Sequence, residues 1–361
     1  MSIQSDRVNK LKRIIEDKSQ AVFITNEKNV YYFSGVQNSE GVMLVTLDET
    51  YLLVDFRYIE TAKKNCKDYK VIEFKSVTED VISLCKKHSV DTLYLEAENI
   101  TVSRYNFYIK KFNAQGISLI SNDLLSKTIS NLRLIKSEEE IKFIDEAQKI
   151  TEKAYNEVLN YIKPGESERA ISIELEYLMK KFGASNVSFD LITITGKKTS
   201  LPHGVPSDDI ISEGDFFTMD IGSLYMGYHS DMTRTVAVKS CDDYQREIYN
   251  IVLKAQSTAL NSVKSGIKAS NIDKIARDII EKAGYGKNFG HSTGHGVGLD
   301  IHELPFVSTK SECILSENMV ITVEPGIYLE NKFGVRIEDM VLVKENGFKN
   351  FATLSKELII V

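Results

Sequence analysis

The sequence has few of the features that would place a protein in a membrane, on nucleic acid or among disulfide-bonded secreted domains. Its 361 residues include only four cysteines, scattered and without a CxxC pair, which is typical of reduced thiols in a cytosolic protein. No apolar run approaches the roughly 18 residues that a membrane helix needs. The charged, amphipathic first residues lack the apolar centre of a signal peptide. We therefore expect a cytoplasmic protein with no membrane partner.

Neither sign of charge is concentrated in the chain. Lysine and arginine together number 45 and aspartate and glutamate 51, which gives a formal net charge of −6, and no block of five or more basic residues occurs. Such a chain is a poor general nucleic-acid binder, so no nucleic-acid partner is expected. With 42% apolar and 27% charged residues, the composition is that of a folded globular protein. The length indicates two or three domains with a large core.

The first 125 residues or so alternate short β-rich runs with helical patterns. The β-rich runs, in chain order, are AVFIT, VYYFSG, GVMLVT, TYLLVDF, VIEF, TLYLEA and ISLIS. The polar triplet at 47–49 predicts a hairpin between the third and fourth runs, and charged segments at 77–88 and 102–113 have helical patterns. This alternation predicts an α/β domain.

A long helical pattern begins after Ser137, which stands three residues before Glu140 in the spacing of a capping box. We place the domain boundary ahead of it, near residue 128, which gives an N-terminal domain over 1–128 and a second domain over 129–361.

The second domain contains an internal echo at a shift of 101 residues. The shift matches Lys163 with Lys264, Gly165 with Gly266, Lys181 with Lys282 and Gly183 with Gly284. Each copy reads as a long helix, a Lys-x-Gly break and a second amphipathic helix that ends at glycine. A duplicated unit would build one site between its halves. The alternative is a pair of unrelated helical hairpins that share common residues.

Two aspartates of the second domain have unusual neighbours. Asp220 lies inside the apolar strand pattern FFTMDIG, and Asp231 follows 11 residues later, ahead of the strand pattern TRTVAV. A hairpin would fold these strands side by side and bring both carboxylates to one face. Because burial of two like charges is costly, we expect a cation between them. A capped turn or a salt bridge is the alternative for each aspartate taken alone.

Five of the six histidines lie between residues 203 and 302, and three of them fall in the glycine-rich stretch from His291 to His302. The glycines around His295 let the backbone approach another group closely. Their spacing is not that of a dinucleotide-binding loop. This density predicts a ligand or catalytic role, although a single histidine here would more often be a structural residue.

Two glutamates are embedded in later strand patterns. Glu324 ends the run VITV and precedes Pro325, which favours an extended conformation at the strand end. Glu338 alternates with apolar neighbours in GVRIEDM, and Arg336 shares its face by the period of two. A simple ion pair between Arg336 and Glu338 is the alternative explanation for that pair.

These residues together have the composition of a metal centre. Four carboxylates (Asp220, Asp231, Glu324 and Glu338) and the nitrogen of His295 form the candidate ligand set. Two divalent cations balance four negative charges, whereas one cation would leave an excess in a low-dielectric site. Oxygen-rich ligation with one imidazole suits manganese, and cobalt, iron or zinc also fit. A two-metal centre activates a bridging water as hydroxide and polarises a carbonyl, which predicts hydrolysis.

The order of the motifs resembles one family. MDIG followed by SDMTRT, then GHGVGLDIHE, TVEPGIY and VRIED are similar to the motifs of the pita-bread metallopeptidases, the family of prolidase (Xaa-Pro dipeptidase), aminopeptidase P and methionine aminopeptidase. Residues 1–125 resemble the creatinase-type N-terminal domain of the proline-specific branch. The resemblance implies an α/β creatinase-like domain followed by an α+β pita-bread catalytic domain with an internal pseudo-twofold duplication, and the 101-residue echo matches that duplication.

The resemblance also implies roles for the ligand set. It makes Asp220, Asp231, His295, Glu324 and Glu338 the ligands of two divalent ions, with Asp231 and Glu338 contacting both. Glu324 would in addition relay the proton from the bridging water to the leaving amine.

Four further residues match positions of the family outside the ligand set. His203 matches the histidine near the scissile bond, and His302 matches the one that stabilises the tetrahedral oxyanion. His291 and Arg336 would support the ligands or line the substrate pocket.

The resemblance implies a cytosolic metallopeptidase that acts on short peptides with proline in second position, and a homodimer, since the family is commonly dimeric. A methionine aminopeptidase-like enzyme is the alternative, but that enzyme usually lacks the long N-terminal domain. Creatinase departs from the ligand set, and a non-enzymatic scaffold homologue would have lost ligands that are all present here.

The preferred peptide length stays open. Some microbial prolidases carry an arginine four residues after the position of His302, which can hold the free carboxylate of a dipeptide. This sequence has Phe306 there, which favours longer peptides. A cation from the N-terminal domain or from a partner subunit would reverse that preference.

Overall fold

The computed structural model describes residues 2–361, and the chain divides into two units, Met1–Arg133 and Leu134–Val361. The boundary expected near residue 128 falls inside the helix Asp123–Leu134, whose buried side chains include Ile129. The end of this helix contacts the first unit, since the carbonyl of Leu132 accepts from the Tyr32 hydroxyl and Arg133 donates to Asn29. The first unit therefore extends beyond residue 128, to Arg133. Among residues 2–361, no helix is both long and apolar enough to cross a membrane.

The first unit is an α/β domain built on a six-stranded mixed sheet, as the alternation of patterns predicts. Its helices are α1 (Ile3–Leu11), α2 (Glu27–Ser34), α3 (Ile59–Asn65), α4 (Val77–Lys87), α5 (Val102–Asn113) and α6 (Asp123–Leu134). Its strands are β1 (Gln20–Ile24), β2 (Val42–Val45), β3 (Thr50–Val54), β4 (Lys70–Glu73), β5 (Thr92–Leu95) and β6 (Ser118–Ile120). They lie in the order β4-β3-β2-β1-β5-β6, and the expected hairpin joins β2 to β3.

One β-rich run of the first unit is helical, which corrects the prediction of a strand there. The segment VYYFSG lies in α2 and its C-cap, where Asn26 accepts a hydrogen bond from the N–H of Asn29 and so caps the helix start. Gly35 ends the helix in the left-handed conformation, with φ of 72°. Capping at both ends and burial of Val30 and Phe33 against the unit outweigh the β-propensity of the aromatic residues.

The second unit combines four long helices with short antiparallel sheets. The helices are α7 (Glu138–Val158), α8 (Glu168–Lys181), α9 (Asp243–Leu260) and α10 (Ala269–Lys282). The strands of its first half are β7 (Asn186–Val187), β8 (Ile192–Thr195), β9 (Phe216–Ile221), β10 (Ser223–Tyr225), β11 (Tyr228–His229) and β12 (Met232–Ala237). The strands of its second half are β13 (Gly294–Gly296), β14 (Glu303–Val307), β15 (Val320–Val323), β16 (Gly326–Leu329), β17 (Phe333–Arg336), β18 (Asp339–Lys344) and β19 (Gly347–Asn350).

The capping box predicted at the start of α7 is present. The Ser137 side chain accepts from the N–H of Glu140, and the Glu140 carboxylate accepts from the N–H of Ser137 in return. The helix therefore begins where the sequence pattern places it.

The two halves of the second unit repeat one arrangement, which accounts for the 101-residue echo. The N–H of Gly165 donates to the carbonyl of Ile211 (3.0 Å), and the N–H of Gly266 donates to the carbonyl of Leu315 (2.8 Å). Both glycines have positive φ, 97° and 83°, which a residue with a Cβ adopts only at a cost. The halves then place equivalent strands side by side, β12-β9-β8 in one and β13-β15-β18 in the other. A duplicated unit explains these matches better than two unrelated hairpins.

Candidate metal centre

The first half of the second unit brings two carboxylates together through one strand pair. Asp220 lies near the end of β9, and Asp231 directly precedes β12, which pairs with β9 in antiparallel register. Thr233 is the cross-strand partner of Asp220, so Asp231 lies just beyond that pair. The hairpin expected from the sequence therefore places both carboxylates at one end of the sheet.

The second half repeats this placement with glutamates. Glu324 directly follows β15, and Glu338 directly precedes β18, which pairs with β15 so that Val323 faces Asp339. Each half thus supplies one carboxylate at or just after the end of its inner strand and another just before the paired strand. The two strand ends meet in one centre.

His295 supplies the only nitrogen in the candidate ligand set. It lies on β13, which comes after Asp220 and Asp231 and before Glu324 and Glu338 in the chain. A Cβ at Gly294 would overlap the carbonyl of Thr322 on β15, so a glycine is required for the strands to approach this closely. The backbone N–H of His295 then donates to the Thr322 hydroxyl (3.0 Å). The Nδ1 of His295 lies 3.0 Å from the carbonyl of Gly296, and because a carbonyl only accepts, Nδ1 carries the proton. This fixes the tautomer whose Nε2 has a free lone pair.

The ligand atoms of this set converge. Single donor atoms of Asp231, His295 and Glu338 all lie within 4.8 Å of one another. The Nε2 of His295 lies 3.5 Å from Oδ2 of Asp231 and 3.4 Å from Oε1 of Glu324. A neutral imidazole nitrogen therefore faces two carboxylates across a gap that is suitable for a cation.

Electrostatics at the centre favour added positive charge. Burial, reinforced by the neighbouring Glu338, raises the pKa of Asp231 well above its ordinary value. Burial raises the pKa of Glu324 to about 8, with Arg336 opposing the shift, and burial with Glu324 raises that of Glu338. Burial lowers the pKa of His295 to about 4, so the imidazole is neutral near pH 7. Each shift reports a charge that the fold alone does not stabilise.

Unsatisfied oxygen atoms point to the same conclusion. Oδ1 of Asp220 and Oε1 of Glu338 are buried and accept no hydrogen bond from any residue within 2–361. Buried carboxylate oxygens without donors are costly, and a divalent cation satisfies them as ligands. The five residues of the candidate set therefore fit a divalent metal centre by donor chemistry, convergence and unmet charge.

Arg336 does not pair with Glu338, although they are two residues apart. The strand breaks between β17 and β18, so the period of two is lost, and Nη2 of Arg336 donates to Oδ2 of Asp220 (2.7 Å). Its Nε donates to the hydroxyl of Thr233 (3.1 Å), which in turn donates to Oε2 of Glu338 (2.6 Å). Arg336 therefore braces one carboxylate directly and the other through Thr233.

Tyr328 extends this network and was missed in the sequence. Its hydroxyl accepts from Nη1 of Arg336 (2.8 Å) and lies 2.9 Å from Nε2 of His291. Because Nδ1 of His291 faces the carbonyl of Ser292, the free lone pair of Nε2 accepts from the tyrosine. Tyr328 stands four residues after Glu324 in TVEPGIY, and only this position within the motif could have drawn attention to it.

All nine residues singled out in the sequence line one cavity of about 570 Å³. The ring of His302 stacks edge-on against that of His295, with centroids 4.3 Å apart. His203, on the loop after the 3-10 turn Gly196–Ser200, reaches the same cavity. Apolar side chains form much of the remaining wall, among them Phe189, Leu191, Ile192, Val205, Ile301 and Phe306. The wall therefore combines a charged centre with apolar surface, as expected of a site for a small organic substrate.

Two family models match the chain. The model described as metallopeptidase family M24 matches residues 142–345, and the creatinase/prolidase N-terminal domain matches residues 7–135. These two matches correspond to the two units of the structure.

Individual proteins are similar over almost the full length. An Xaa-Pro dipeptidase of Pyrococcus furiosus is 42% identical over 356 residues, which cover 98% of this chain and 99% of that protein. The solved structure of an Xaa-Pro dipeptidase from Bacillus anthracis superposes with a TM-score of 0.95 at 38% identity, covering 99% of this chain and 100% of that one. An X-Pro aminopeptidase from Thermotoga maritima superposes with a TM-score of 0.90 at 36% identity, covering 97% and 99%.

Proposed function

This chain belongs to metallopeptidase family M24, and we propose that it hydrolyses the bond between the first residue of a peptide and a following proline. The observation that carries the proposal is that two buried carboxylates, Asp231 and Glu338, converge with the neutral His295 in the wall of a substrate-sized cavity. The half-buried carboxylates of Asp220 and Glu324 line the same cavity. The match to a creatinase/prolidase N-terminal domain and the names of the similar proteins support proline in second position.

The proposed ligands are those of the candidate set, Asp220, Asp231, His295, Glu324 and Glu338, and they would hold two divalent ions. Two such ions balance the four carboxylates, and the oxygen-rich set suits manganese, with cobalt, iron or zinc as alternatives. When bound, divalent ions polarise a carbonyl and lower the pKa of a water molecule, which is the chemistry of peptide hydrolysis.

Glu324 is the proposed proton carrier. Its carboxylate lies 3.4 Å from Nε2 of His295, and the Thr322 hydroxyl lies 3.3 Å from Oε1, so the side chain is held at the edge of the centre. In the metal-free protein burial raises its pKa to about 8, and a carboxylate beside the centre is a chemical group that can take up and release a proton. Glu324 would take a proton from the attacking water and deliver it to the departing proline nitrogen.

The two histidines at the cavity wall are proposed to act on the scissile bond. His302 packs on His295, which presents an imidazole beside the centre as a donor to the developing oxyanion. His203, with Pro202 and Gly204 in the same wall, would contact the substrate near the bond that breaks. Arg336 and His291, linked by Tyr328, would keep Asp220 oriented.

We propose that peptides longer than two residues are accepted. Of the residues within 2–361 that line the cavity, Arg336 is the one lysine or arginine, and Asp220 already pairs with it. Phe306, which is 49% exposed, presents an apolar side chain to the cavity. A dipeptide carboxylate therefore gains no free lysine or arginine from this wall.

We also propose that the protein is a homodimer and that it is located in the cytoplasm. The cytoplasmic assignment is supported by four free cysteines, two of them buried, since free thiols are typical of a reducing compartment. The dimer follows from the family resemblance. Light scattering on the purified protein tests it.

The experiment that tests the proposed function uses metal-free protein reconstituted with manganese or cobalt. Its substrates are an Xaa-Pro dipeptide, an Xaa-Pro tripeptide with a longer relative, and a Met-Ala peptide. We expect metal-dependent cleavage of the Xaa-Pro tripeptide and its longer relative. Cleavage of the dipeptide alone would contradict the proposed length preference, and cleavage of Met-Ala alone would contradict the proline requirement. No cleavage with metal bound would contradict the peptidase itself.

A further inference from the structure

The cavity wall carries one more carboxylate, which the proposed mechanism does not use. Asp190 lines the cavity beside Phe189 and Leu191, and its side chain is exposed. Within residues 2–361, the Asp190 carboxylate makes no hydrogen bond and no ion pair. It differs in this from Asp220, whose Oδ2 is paired with Arg336. Asp190 is therefore a free negative charge that faces the space where the substrate would lie.

The strand register gives the position of Asp190 relative to the centre. Ile192, the first residue of β8, is the cross-strand partner of Asp220. Asp190 lies two residues earlier in the chain, at most about 7 Å from Ile192 along the backbone. Asp190 is thus close in the chain to the strand position that faces Asp220, and it lines the same cavity as the candidate metal ligands without being one of them.

The surroundings of Asp190 are suited to a long side chain with a charged end. Leu191, Val205 and Phe306 also line the cavity, and their apolar surfaces can pack against an aliphatic stem. The other titratable groups of the wall are the five candidate ligands, three histidines and Arg336, which is already paired. No free lysine or arginine of the wall competes for Asp190.

We propose that Asp190 determines specificity for the first residue of the substrate, by pairing with the side chain of a lysine or arginine. This inference rests on the proposed function. Because the scissile carbonyl must reach the centre, the α-ammonium group of the first residue is held close to the centre as well. The side chain of that residue can extend along the wall, and a lysine or arginine is long enough to bring its charge to Asp190.

The test compares three tripeptides, Xaa-Pro-Ala, whose first residue is lysine, norleucine or glutamate. Norleucine has the aliphatic stem of lysine without its charge. We expect the metal-loaded enzyme to show kcat/KM for the lysine peptide about fivefold above that for norleucine, the ratio that a partly exposed ion pair gives, and the glutamate peptide to be cleaved least. The difference should lie in KM, because the pair is remote from the reacting carbonyl, and it should shrink as salt is raised.

Variants assign the effect to Asp190. Asp190→Asn should lower kcat/KM for the lysine peptide to the value for the norleucine peptide, and the value for the norleucine peptide should stay unchanged. Asp190→Lys should invert the order, so that the glutamate peptide has the highest kcat/KM. Asp278→Asn, the same charge change on α10, where Asp278 pairs with Lys274 outside the cavity wall, should keep the wild-type order. An equal loss for lysine and norleucine in Asp190→Asn would overturn the proposal, since it would indicate a role toward the α-ammonium group or the fold.

A binding measurement separates this proposal from the proposed function. Calorimetric titration with lysinamide and norleucinamide requires no turnover, and the wild type should bind lysinamide more tightly by about the same fivefold factor. If no peptide is cleaved but this difference is present and is lost in Asp190→Asn, the peptidase assignment fails and the role of Asp190 stands. If peptides are cleaved and the two amides bind equally, the role of Asp190 fails and the peptidase stands.

Discussion

Glu338 and Asp339 are adjacent buried carboxylates with opposite electrostatic environments. Both are nearly inaccessible, at 1% and 0% exposure. Asp339 accepts from Arg234 through Oδ1 (2.7 Å) and from Lys356 through Oδ2 (2.8 Å). Glu338 accepts from the Thr233 hydroxyl through Oε2, and its Oε1 has no donor within residues 2–361.

The pKa values of the two groups move in opposite directions as a result. Burial raises the pKa of Glu338, and Glu324 and Asp220 add to the shift. Burial acts in the same direction on Asp339, but the charges of Arg234 and Lys356 outweigh it and lower the pKa. The fold therefore stabilises the charge of one carboxylate with its own cations and leaves the other dependent on cations from outside. That contrast separates a structural carboxylate from one available to a site.

The largest expected effect is the loss of activity in Asp231→Asn. The substitution removes one of the three ligand atoms that converge within 4.8 Å. Loss of a residue that only supports a ligand costs about 10- to 100-fold, so loss of a ligand should lower kcat/KM on an Xaa-Pro peptide by more than about 100-fold. Metal content measured on the same sample should fall with it, while circular dichroism stays that of the wild type. Turnover near the wild-type level would contradict the metal assignment.

The second prediction contrasts the two neighbours directly. Asp339→Asn leaves Arg234 and Lys356 near an amide whose NH₂ cannot accept, and breaking a buried ion pair in this way costs about 3–5 kcal/mol of unfolding free energy. Glu338→Gln in chelator should cost much less, because the amide oxygen can still accept from Thr233 and a poorly compensated charge is removed. Urea unfolding of both variants in chelator provides the measurement, and equal losses of stability would contradict the contrast.

A third, smaller effect distinguishes the two buried arginines of the second unit, Arg234 and Arg336. Arg336→Lys loses the fork that contacts Asp220, Thr233 and Tyr328 together, so affinity for manganese should fall about 10- to 100-fold. Arg234→Lys should lower stability through Asp339 and leave metal affinity close to that of the wild type. Competition with a metal-binding dye measures the manganese affinity of both variants. An unchanged affinity for manganese in Arg336→Lys would show that Asp220 does not need the guanidinium group of Arg336 to be positioned as a ligand.

The smallest effect is a pH dependence of stability in chelator. Between pH 7 and 8, folded Glu324 with its pKa near 8 holds more proton than the unfolded chain, whose glutamates are ionised. Glu324 should therefore make the unfolding free energy fall as pH rises, by about 1 kcal/mol over that unit, and the raised pKa values of Asp231 and Glu338 act in the same direction. His295 is neutral in both states above pH 7 and contributes little. Urea midpoints at the two pH values test this, and the slope should be reduced in Glu324→Gln and by saturating manganese. Stability that rises with pH would have the wrong sign.

The sequence predicted most of the fold because local rules governed it. The capping box at Ser137, the hairpin at 47–49 and the paired strands that carry Asp220 and Asp231 are confirmed. The resemblance to the pita-bread family is confirmed as well. The strand expected at VYYFSG is wrong, because Asn26 and Gly35 cap a helix there and outweigh the β-propensity of its aromatic residues.

The sequence singled out residues that the structure brings to one cavity, but it did not give the contacts between them. The nine residues that the sequence motifs brought out all line the cavity, and carboxylates and histidines in apolar strand patterns are conspicuous in a sequence. The partner of Arg336 was not predictable, because the break between β17 and β18 removes the simple alternation that made Glu338 its expected neighbour. Tyr328 and Asp190 went unnoticed, since an aromatic residue in a strand and an exposed aspartate carry no distinctive pattern.

The sequence by itself determined which side chains are present, that α7 begins at the capping box of Ser137, and that a duplicated unit carries four carboxylates and a histidine in its strand patterns. Tertiary structure alone decided which of these charges are neutralised. Asp220 meets Arg336, and Asp339 meets Arg234, across more than a hundred residues of chain. Coulomb energy and desolvation depend on distances in space, and only the packing of the two halves sets those distances.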